Sequence, residues 1–208
     1  KSDGTEVGTL LVGDLRPGGA SFSSSPDLLT NFNGTLYFVA NDVIAGTELW
    51  KSDGTESGTV LVSDIRPGFS SSDITDLTMS NGDLYFTASD GITGSEPWIV
   101  RGSDINATQI NVGLLKDVWQ STDSLSQLTV VGDTIFFVAE TALNGRELWR
   151  LDASSPVGAT LVKDIHPGIG SSDPSSLTNV DGTLFFTAND GTTNRELWKS
   201  DGTEAGTV

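Results

Sequence analysis

The chain of 208 residues contains no cysteine, one histidine and one methionine. Without cysteine there are no disulfides, no thiolate zinc sites and no thiol nucleophiles. No apolar run approaches the roughly 18 residues that a membrane-spanning helix needs, and no basic segment leads into an apolar run at the start. We therefore expect no membrane insertion and few groups suited to catalysis.

Basic residues are also scarce, because 11 Lys and Arg stand against 28 Asp and Glu, which gives a formal net charge of −17. This charge repels phosphate backbones and anionic lipid head groups, so nucleic acid is not an expected partner. A hydrophobic content of 36% is too high for a disordered chain, and 24 glycines are too many for a mostly helical one. The composition indicates an all-β globular protein.

What the chain does have is an internal repeat. Residues 49–55 (LWKSDGT) recur as residues 197–203, and the tryptophans at 50, 98, 149 and 198 are spaced by 48, 51 and 49 residues. Two further markers keep the same register. A Leu or Ile before two aromatic residues stands at 36–38, 84–86, 135–137 and 184–186, and Asp-x-x-Pro-Gly stands at 14–18, 64–68 and 164–168.

Each repeat contains four short extended segments separated by turns. An Asn-Gly or Asp-Gly pair at 33–34, 81–82 and 181–182 predicts tight hairpins with positive φ at both positions, and Gly-Asp at 132–133 fills the same slot. Four strands per roughly fifty residues is the period of a β-propeller. We therefore predict an all-β, β-propeller-type tandem repeat of four blades, each with four short antiparallel strands.

The repeat also predicts the domain organisation. We expect one repeat domain over residues 1–208, with units at approximately 1–50, 51–98, 99–149 and 150–198, and with 199–208 starting a fifth. Residues 1–6 and 199–204 are both KSDGTE, so they claim the same place in the repeat. Either the chain is an excerpt of a longer array, or four blades are closed by one of these segments while the other is left over or donated to a neighbouring molecule.

Residues 48–55 and 196–203 (both ELWKSDGT) resemble the signature of the bacterial ELWxxDGT repeat family. The pieces NGTLYF at 33–38 and DIRPG at 64–68 fit the same family, so the resemblance covers essentially the whole chain. It implies a secreted or surface-associated bacterial protein with propeller-type repeats, sometimes labelled hyalin-like. The third unit departs from the pattern, because Trp98 is followed by Ile99, Val100 and Arg101 without the Asp-Gly-Thr turn.

Carboxylates recur around one turn of the repeat. A glutamate stands two residues before each of the tryptophans at 50, 98, 149 and 198, and in three of these units an aspartate lies a few residues earlier. The candidate pairs are Asp42 with Glu48, Asp90 with Glu96, and Asp190 with Glu196. Two carboxylates that bracket a turn can supply hard oxygen ligands for calcium, although the spacing is not that of a twelve-residue calcium loop. The alternative is that these acids accept backbone amide hydrogen bonds and stabilise the turn.

The residue before each Pro-Gly differs between repeats in its side-chain chemistry. Arg16, Arg66 and His166 hold this position in three units, and Trp119 holds it in the unit that lacks the Pro-Gly pair. Equivalent loops project from one rim of a propeller, so these four side chains could form a surface with stacking and donor groups, which suits carbohydrate. The alternative is ordinary surface variation. His166 is not expected to be catalytic, because arginine or tryptophan replaces it elsewhere.

These observations predict a non-enzymatic secreted or cell-surface module that acts as a scaffold or adhesin. Its loops would bind carbohydrate or a surface protein through several weak contacts at once, and self-association is also allowed. Two alternatives stay open. One is a carbohydrate-active or hydrolytic enzyme with paired carboxylates in a deep central pocket. The other is a subunit of a calcium-stabilised structural filament.

Overall fold

The computed structural model describes residues 1–19, 22–92, 94–104, 112–114, 125–152 and 159–208. Within these residues there are fifteen strands and one 3-10 turn, and the strands form four antiparallel sheets. The all-β prediction is therefore confirmed. The described part of the chain contains no helix with the length and apolarity required to cross a lipid bilayer.

Each sheet is a meander in chain order. The first sheet contains β1 (Asp27–Phe32), β2 (Thr35–Asn41), β3 (Thr47–Ser52) and β4 (Val60–Ser63), and the second contains β5 (Thr75–Ser80), β6 (Asp83–Ser89), β7 (Ser95–Val100) and β8 (Val112–Leu114). The third contains β9 (Ser126–Val131), β10 (Thr134–Thr141), β11 (Gly145–Asp152) and β12 (Thr160–Lys163), and the fourth contains β13 (Ser175–Val180), β14 (Thr183–Asn189) and β15 (Arg195–Ser200). The 3-10 turn spans Gly102–Asp104 and follows β7.

The hairpins between the first two strands follow the predicted turn chemistry. Asn33 and Gly34 both have positive φ, at 51° and 83°, and the same holds for Asn81 with Gly82 and for Asp181 with Gly182. Only residues that tolerate a left-handed backbone fit both positions, which is why Asn-Gly and Asp-Gly mark these turns. The sequence prediction for these three hairpins is confirmed.

The fourth strand of a sheet belongs to the sequence unit that follows it. The Val60–Ser63 strand pairs with β3, with Lys51 opposite Val60 and Trp50 opposite Leu61. The sheet boundaries therefore lie one strand beyond the tryptophans that mark the sequence units. The reason is local: residues 51–60 form a tight hairpin that returns the chain directly onto β3, so the strand pairs backwards along the sequence.

Successive sheets are joined in space through their first strands. β1 contacts β5, β5 contacts β9, and β9 contacts β13, so the sheets lie side by side in chain order. Each of these strands carries one residue with positive φ, and the pairing register shifts in the segment that contains this residue. The residues are Leu28, Asp76, Gln127 and Ser176. Such bulges bend a strand and increase its twist.

Both faces of every sheet carry apolar residues. Successive side chains of the second strand point to opposite faces, and most of them on either face are apolar. In the second sheet Leu84, Phe86 and Ala88 pack toward the first sheet, whereas Tyr85 packs toward the third. We call the side toward the preceding sheet the leading face and the side toward the following sheet the trailing face. A sheet with two apolar faces needs a neighbour on each side to exclude water.

Burial of equivalent residues shows where neighbours are present. Leu49 and Leu148 occupy the same motif position on trailing faces that are covered, and both are 0% exposed. Leu197 occupies that position on the trailing face of the fourth sheet and is 71% exposed. On leading faces, Leu128 of the third sheet is 4% exposed, whereas its equivalent Leu29 in the first sheet is 64% exposed.

The leucine at this motif position therefore contributes much more to stability in the first sheet, where it is buried, than in the fourth, where it is exposed. We expect Leu49→Ala to lower the free energy of unfolding by about 2–5 kcal/mol, because it removes buried methyl groups and leaves a cavity. Leu197→Ala is the matched control and should change stability by less than about 0.5 kcal/mol. Chemical denaturation of both variants measures the difference, and equal losses would contradict the packing described above.

Candidate functional site

The Asp-Gly-Thr signature forms a self-contained hairpin rather than an open ligand site. Asp53 Oδ1 accepts hydrogen bonds from the Thr55 amide at 2.8 Å and from its hydroxyl at 2.7 Å. The Thr59 hydroxyl in turn donates to the Thr55 carbonyl at 2.6 Å. The Thr55 hydroxyl and amide hold the pKa of Asp53 below its usual value. The same bonds recur in residues 1–10 and 199–208.

Glycine is required within this hairpin for steric reasons. A Cβ atom added to Gly58 would collide with Asp53 Oδ1, although the backbone of Gly58 is not left-handed. Gly8 and Gly206 face Asp3 and Asp201 in the same way. In the Asp-Gly-Thr-x-x-Gly-Thr pattern, the aspartate carboxylate therefore occupies the space that a side chain on the second glycine would need.

The glutamate of the signature ties one sheet to the next. Glu147 is 0% exposed and accepts four hydrogen bonds from the loop that leads into the fourth sheet. The donors are the amides of Ile165 at 3.1 Å, His166 at 3.2 Å and Ser172 at 3.1 Å, together with the Ser172 hydroxyl at 2.6 Å. Burial raises the pKa of Glu147, and these donors oppose that effect.

The equivalent Glu48 is held by fewer bonds. Its Oε2 accepts the Ile65 amide at 3.1 Å, whereas the buried Oε1 has no hydrogen-bond partner. Burial raises the pKa of Glu48 to about 7, and the nearby Ser72 hydroxyl and the Ile65 amide only partly oppose this. Glu96 stands at the same place in the second sheet and is 1% exposed. Glu196, on the uncovered trailing face of the fourth sheet, is exposed.

The three candidate aspartates bind backbone amides of their own turns. Asp42 Oδ1 accepts the amides of Ile44 at 2.8 Å and Ala45 at 2.6 Å. Asp90 accepts the Ile92 amide at 2.7 Å, and Asp190 accepts two amides at 2.7 Å. These hydrogen bonds hold the pKa of Asp190 well below its usual value.

This donor set does not fit a calcium ion. An oxygen that faces amide hydrogens has positive partial charge directed at it, which repels a cation. The partner glutamates Glu48 and Glu96 are buried between sheets, and among the residues described no group of three or more Asp, Glu or His is placed to hold a metal. The arrangement favours the alternative interpretation, in which these acids stabilise the turn and the sheet junction.

The residues before Pro-Gly close their own loops. Arg66 Nη1 donates to the Ser71 carbonyl at 3.3 Å, Arg16 Nη1 donates to the Ser23 carbonyl at 3.3 Å, and His166 Nδ1 lies 3.2 Å from the Ser171 carbonyl. All three side chains are half-buried. Each of the three therefore braces its own serine-rich loop, and carbohydrate binding by these residues stays a prediction. Trp119 lies outside the described residues.

A set of exposed apolar residues lies at the same end of the sheets. The sequence analysis did not predict this set. Its members sit at the tips of turns: Ile44 (70% exposed), Phe69 (86%), Ile92 (87%), Leu143 (78%) and Ile169 (83%). We call these five residues the apolar rim. Turn tips normally carry polar residues or glycine, and that contrast is the signal from which the rim could have been recognised.

The turns and loops of the apolar rim are packed against one another. A Cβ on Gly46, in the β2–β3 turn, would lie 2.6 Å from the Ser70 carbonyl of the next loop. A Cβ on Gly91, in the β6–β7 turn, would lie 2.8 Å from Arg66 Nε, so the same loop also packs against the following turn. Gly191 and His166 repeat this contact at 2.6 Å before the fourth sheet. The rim is therefore packed in two parts. One part joins the first and second sheets, and the other joins the third and fourth.

No family model and no curated protein matches the chain. Its fold is similar to that of a prolyl endopeptidase, with a TM-score of 0.56 and 16% identity over 84% of this chain and 24% of the enzyme. It is also similar to an isopeptidase, with a TM-score of 0.51 and 18% identity over 79% of this chain and 25% of the enzyme. The chain thus spans about a quarter of their length, and at such identities the similarity concerns the fold alone.

The raised pKa of Glu48 predicts a pH dependence of stability. Because the folded state holds a proton up to about pH 7 and the unfolded state only to its usual value of 4.5, this contribution is fully present below about pH 4.5. It is lost as the pH rises through about 7. We expect Glu48→Gln to remove about 1–3 kcal/mol of the stability difference between pH 4.5 and pH 8.

Glu196→Gln is the matched control for this measurement, because Glu196 holds the same motif position but is exposed. Thermal melts at pH 4.5 and pH 8 should show the same pH dependence for this variant as for the unsubstituted chain. A Glu48→Gln variant with an unchanged pH dependence would show that Glu48 does not titrate between sheets.

Calcium should leave the melting temperature unchanged. The acids of the turn are already bonded to amides, so neither millimolar calcium nor a chelator should shift the thermal transition. Because a net charge of −17 makes the chain sensitive to any cation, the control is potassium chloride at matched ionic strength. A rise of several degrees with calcium but not with potassium would restore the metal site.

Proposed function

We propose that the chain is a non-enzymatic scaffold or adhesion module of a secreted or cell-surface protein, built from β-propeller-type blades. The stacking of four similar sheets through their first strands supports the blade interpretation, as does the similarity to propeller-like enzymes. The resemblance of residues 48–55 and 196–203 to the ELWxxDGT repeats supports a secreted or cell-surface location.

The observation that carries this proposal is the apolar rim. Residues such as Ile92 and Phe69 are more than four-fifths exposed, and rim residues recur from sheet to sheet at one end of the molecule. Single exposed apolar residues are ordinary, but a regular row of them is typical of an interaction surface. Contacts that are individually weak become strong when a partner meets several of them at once.

The chemistry of the apolar rim favours a protein partner over a carbohydrate. Four of its five members are Ile or Leu, which lack the flat aromatic face on which sugar rings stack. Branched aliphatic side chains instead suit the apolar patches of a protein surface. The strong negative charge of the chain favours a partner surface that is neutral or basic around such patches.

The state of the signature acids supports a non-enzymatic role. Glu147 accepts four hydrogen bonds inside a sheet junction, and Asp53 is bonded within its hairpin. Carboxylates whose oxygens already accept hydrogen bonds from the protein stabilise the fold and are less suited to act on a substrate. The matched enzymes are four times as long as the region compared, so the similarity assigns none of their roles to a residue of this chain.

Multivalent binding predicts that rim substitutions multiply their effects. Beads coated with the chain would be tested for retention on immobilised panels of secreted proteins and of glycans. On the surface that retains them best, Ile44→Asp or Ile92→Asp alone should weaken retention severalfold, and the two together should abolish it, because avidity depends on the number of contacts.

Val7→Asp is the control for this experiment. Val7 is 87% exposed, but it lies in a hairpin of the β3–β4 type, which is at the opposite end of a meander from the β2–β3 turn. It should leave retention unchanged. If glycans alone retain the beads, or if the control acts as strongly as the rim variants, the proposed partner class or the proposed surface is wrong.

A further inference from the structure

The junction between the first and second sheets shows what covers a trailing face. Phe32, Tyr37 and Leu49 of the first sheet pack on Leu84 and Phe86 of the second, and all five residues are 0% exposed. The trailing face thus supplies two aromatic residues and a leucine, and the leading face of the next sheet receives them.

The fourth sheet presents an uncovered copy of this trailing face. Val180, Phe185 and Leu197 stand at the positions of Phe32, Tyr37 and Leu49. Val180 is 47% exposed, Leu197 is 71% exposed, and Phe185 is half-buried. We call these three residues together with Glu196 the donor face.

The leading face of the first sheet is covered only in part, because Phe38 is 6% exposed but Leu36 is half-buried. A groove of about 310 Å³ lies there, and its lining includes Leu11, Leu29, Leu36 and Phe38. Leu11 is 84% exposed and Leu29 is 64% exposed. Leu36 and Phe38 stand at the positions by which the second sheet receives the first. We call these four residues the acceptor groove.

The hydrogen-bonding groups of a junction are also present at the two ends of the chain: the donors lie beside the acceptor groove, and the carboxylate lies on the donor face. In the junction before the fourth sheet, the Ile165 amide and the Ser172 hydroxyl donate to Glu147. Leu15 and Ser24 hold the equivalent positions beside the acceptor groove, and within the described residues neither donates to a carboxylate. On the donor face, the exposed Glu196 is a carboxylate without these donors.

The loop beside the acceptor groove already has the junction geometry. The Ser24 carbonyl accepts the Asn41 amide at 2.8 Å, just as the Ser172 carbonyl accepts the Asn189 amide at 2.9 Å. Leu15 packs against Phe38 and Ala40 in the way that Ile65 packs in the next junction. A preorganised loop lowers the ordering cost of an incoming partner.

We propose that the donor face of one copy of this chain packs into the acceptor groove of a second copy, with Glu196 accepting hydrogen bonds from the Leu15 amide and the Ser24 hydroxyl. The contact reproduces between molecules the junction that the chain forms between its own sheets. Because it joins unlike faces, it is heterologous and generates a ring or an open filament. It is independent of the apolar rim and goes beyond the proposed function.

One hairpin limits the strength of this contact. Residues 199–208 of the first copy and residues 1–10 of the second claim the same place, so residues 1–9 of the second copy must move aside. This segment is almost entirely exposed and is anchored at its start by the bonds of Lys1 to Leu10 and to the Gly54 carbonyl. Displacing it breaks these bonds, which weakens the contact, so association is expected at high protein concentration and not in dilute solution.

Sedimentation velocity at physiological ionic strength, which screens the net charge of −17, tests the proposal. The mass of the unsubstituted chain should rise with concentration from 21.8 kDa toward multiples of it. Leu197→Asp, which damages the donor face, and Leu29→Asp, which damages the acceptor groove, should each remain monomeric. Both positions are exposed, so circular dichroism should show the native fold; Leu11→Asp is a second groove variant.

Mixing the two variants distinguishes this contact from unspecific association. Leu197→Asp retains an intact groove and Leu29→Asp retains an intact donor face, so the mixture should form a 1:1 complex of twice the monomer mass and nothing larger. If donor faces instead joined one another, Leu29→Asp alone would form dimers and mixing would add nothing.

Ile92→Asp is the control, since it makes the same change at an 87% exposed residue outside both faces. It should associate like the unsubstituted chain, and its behaviour separates this proposal from binding through the apolar rim. A chain that stays monomeric at the highest soluble concentration overturns the proposal, as does a mixture of the two variants that forms no complex.

Discussion

The whole structure depends on sheets that are apolar on both faces. A single antiparallel sheet with one apolar face can leave its other side in water, but these sheets cannot, because Tyr85 and Phe86 point to opposite sides of the same strand and are both buried. Each sheet therefore needs a neighbour, and the neighbours follow in chain order. The fold is a consequence of this requirement repeated along the chain.

The glutamate of the signature adds direction to that packing. Apolar faces alone would tolerate sliding, whereas Glu147 must find three amides and one hydroxyl in the next loop to offset the cost of burying its carboxylate. Glu48 finds fewer donors, and burial raises its pKa to about 7. The signature residues thus serve the junction and the hairpin.

Much of this could be predicted from the sequence because the determinants are local. Asn33 and Gly34 specify their hairpin through the backbone angles they tolerate, and Asp42 binds amides two and three residues away. Contacts with residues further along the chain were not predicted. Arg66 donates to the Ser71 carbonyl and packs beside the turn at Gly91. The exposure of Phe69 was not recognised, because hydrophobicity alone does not tell a buried residue from a turn tip.

The amino-acid sequence by itself determined the repeat, the all-β character, the tight turns and the apolar alternation, since each follows from residues close together in the chain. Only the tertiary structure decided which copies of the motif are structural and which are exposed. Glu48 and Glu196 lie in the identical segment ELWKSDGT, yet one is buried between sheets and the other faces solvent. The reason is physical: burial is a property of the neighbouring sheet, and a motif does not encode whether that neighbour is there.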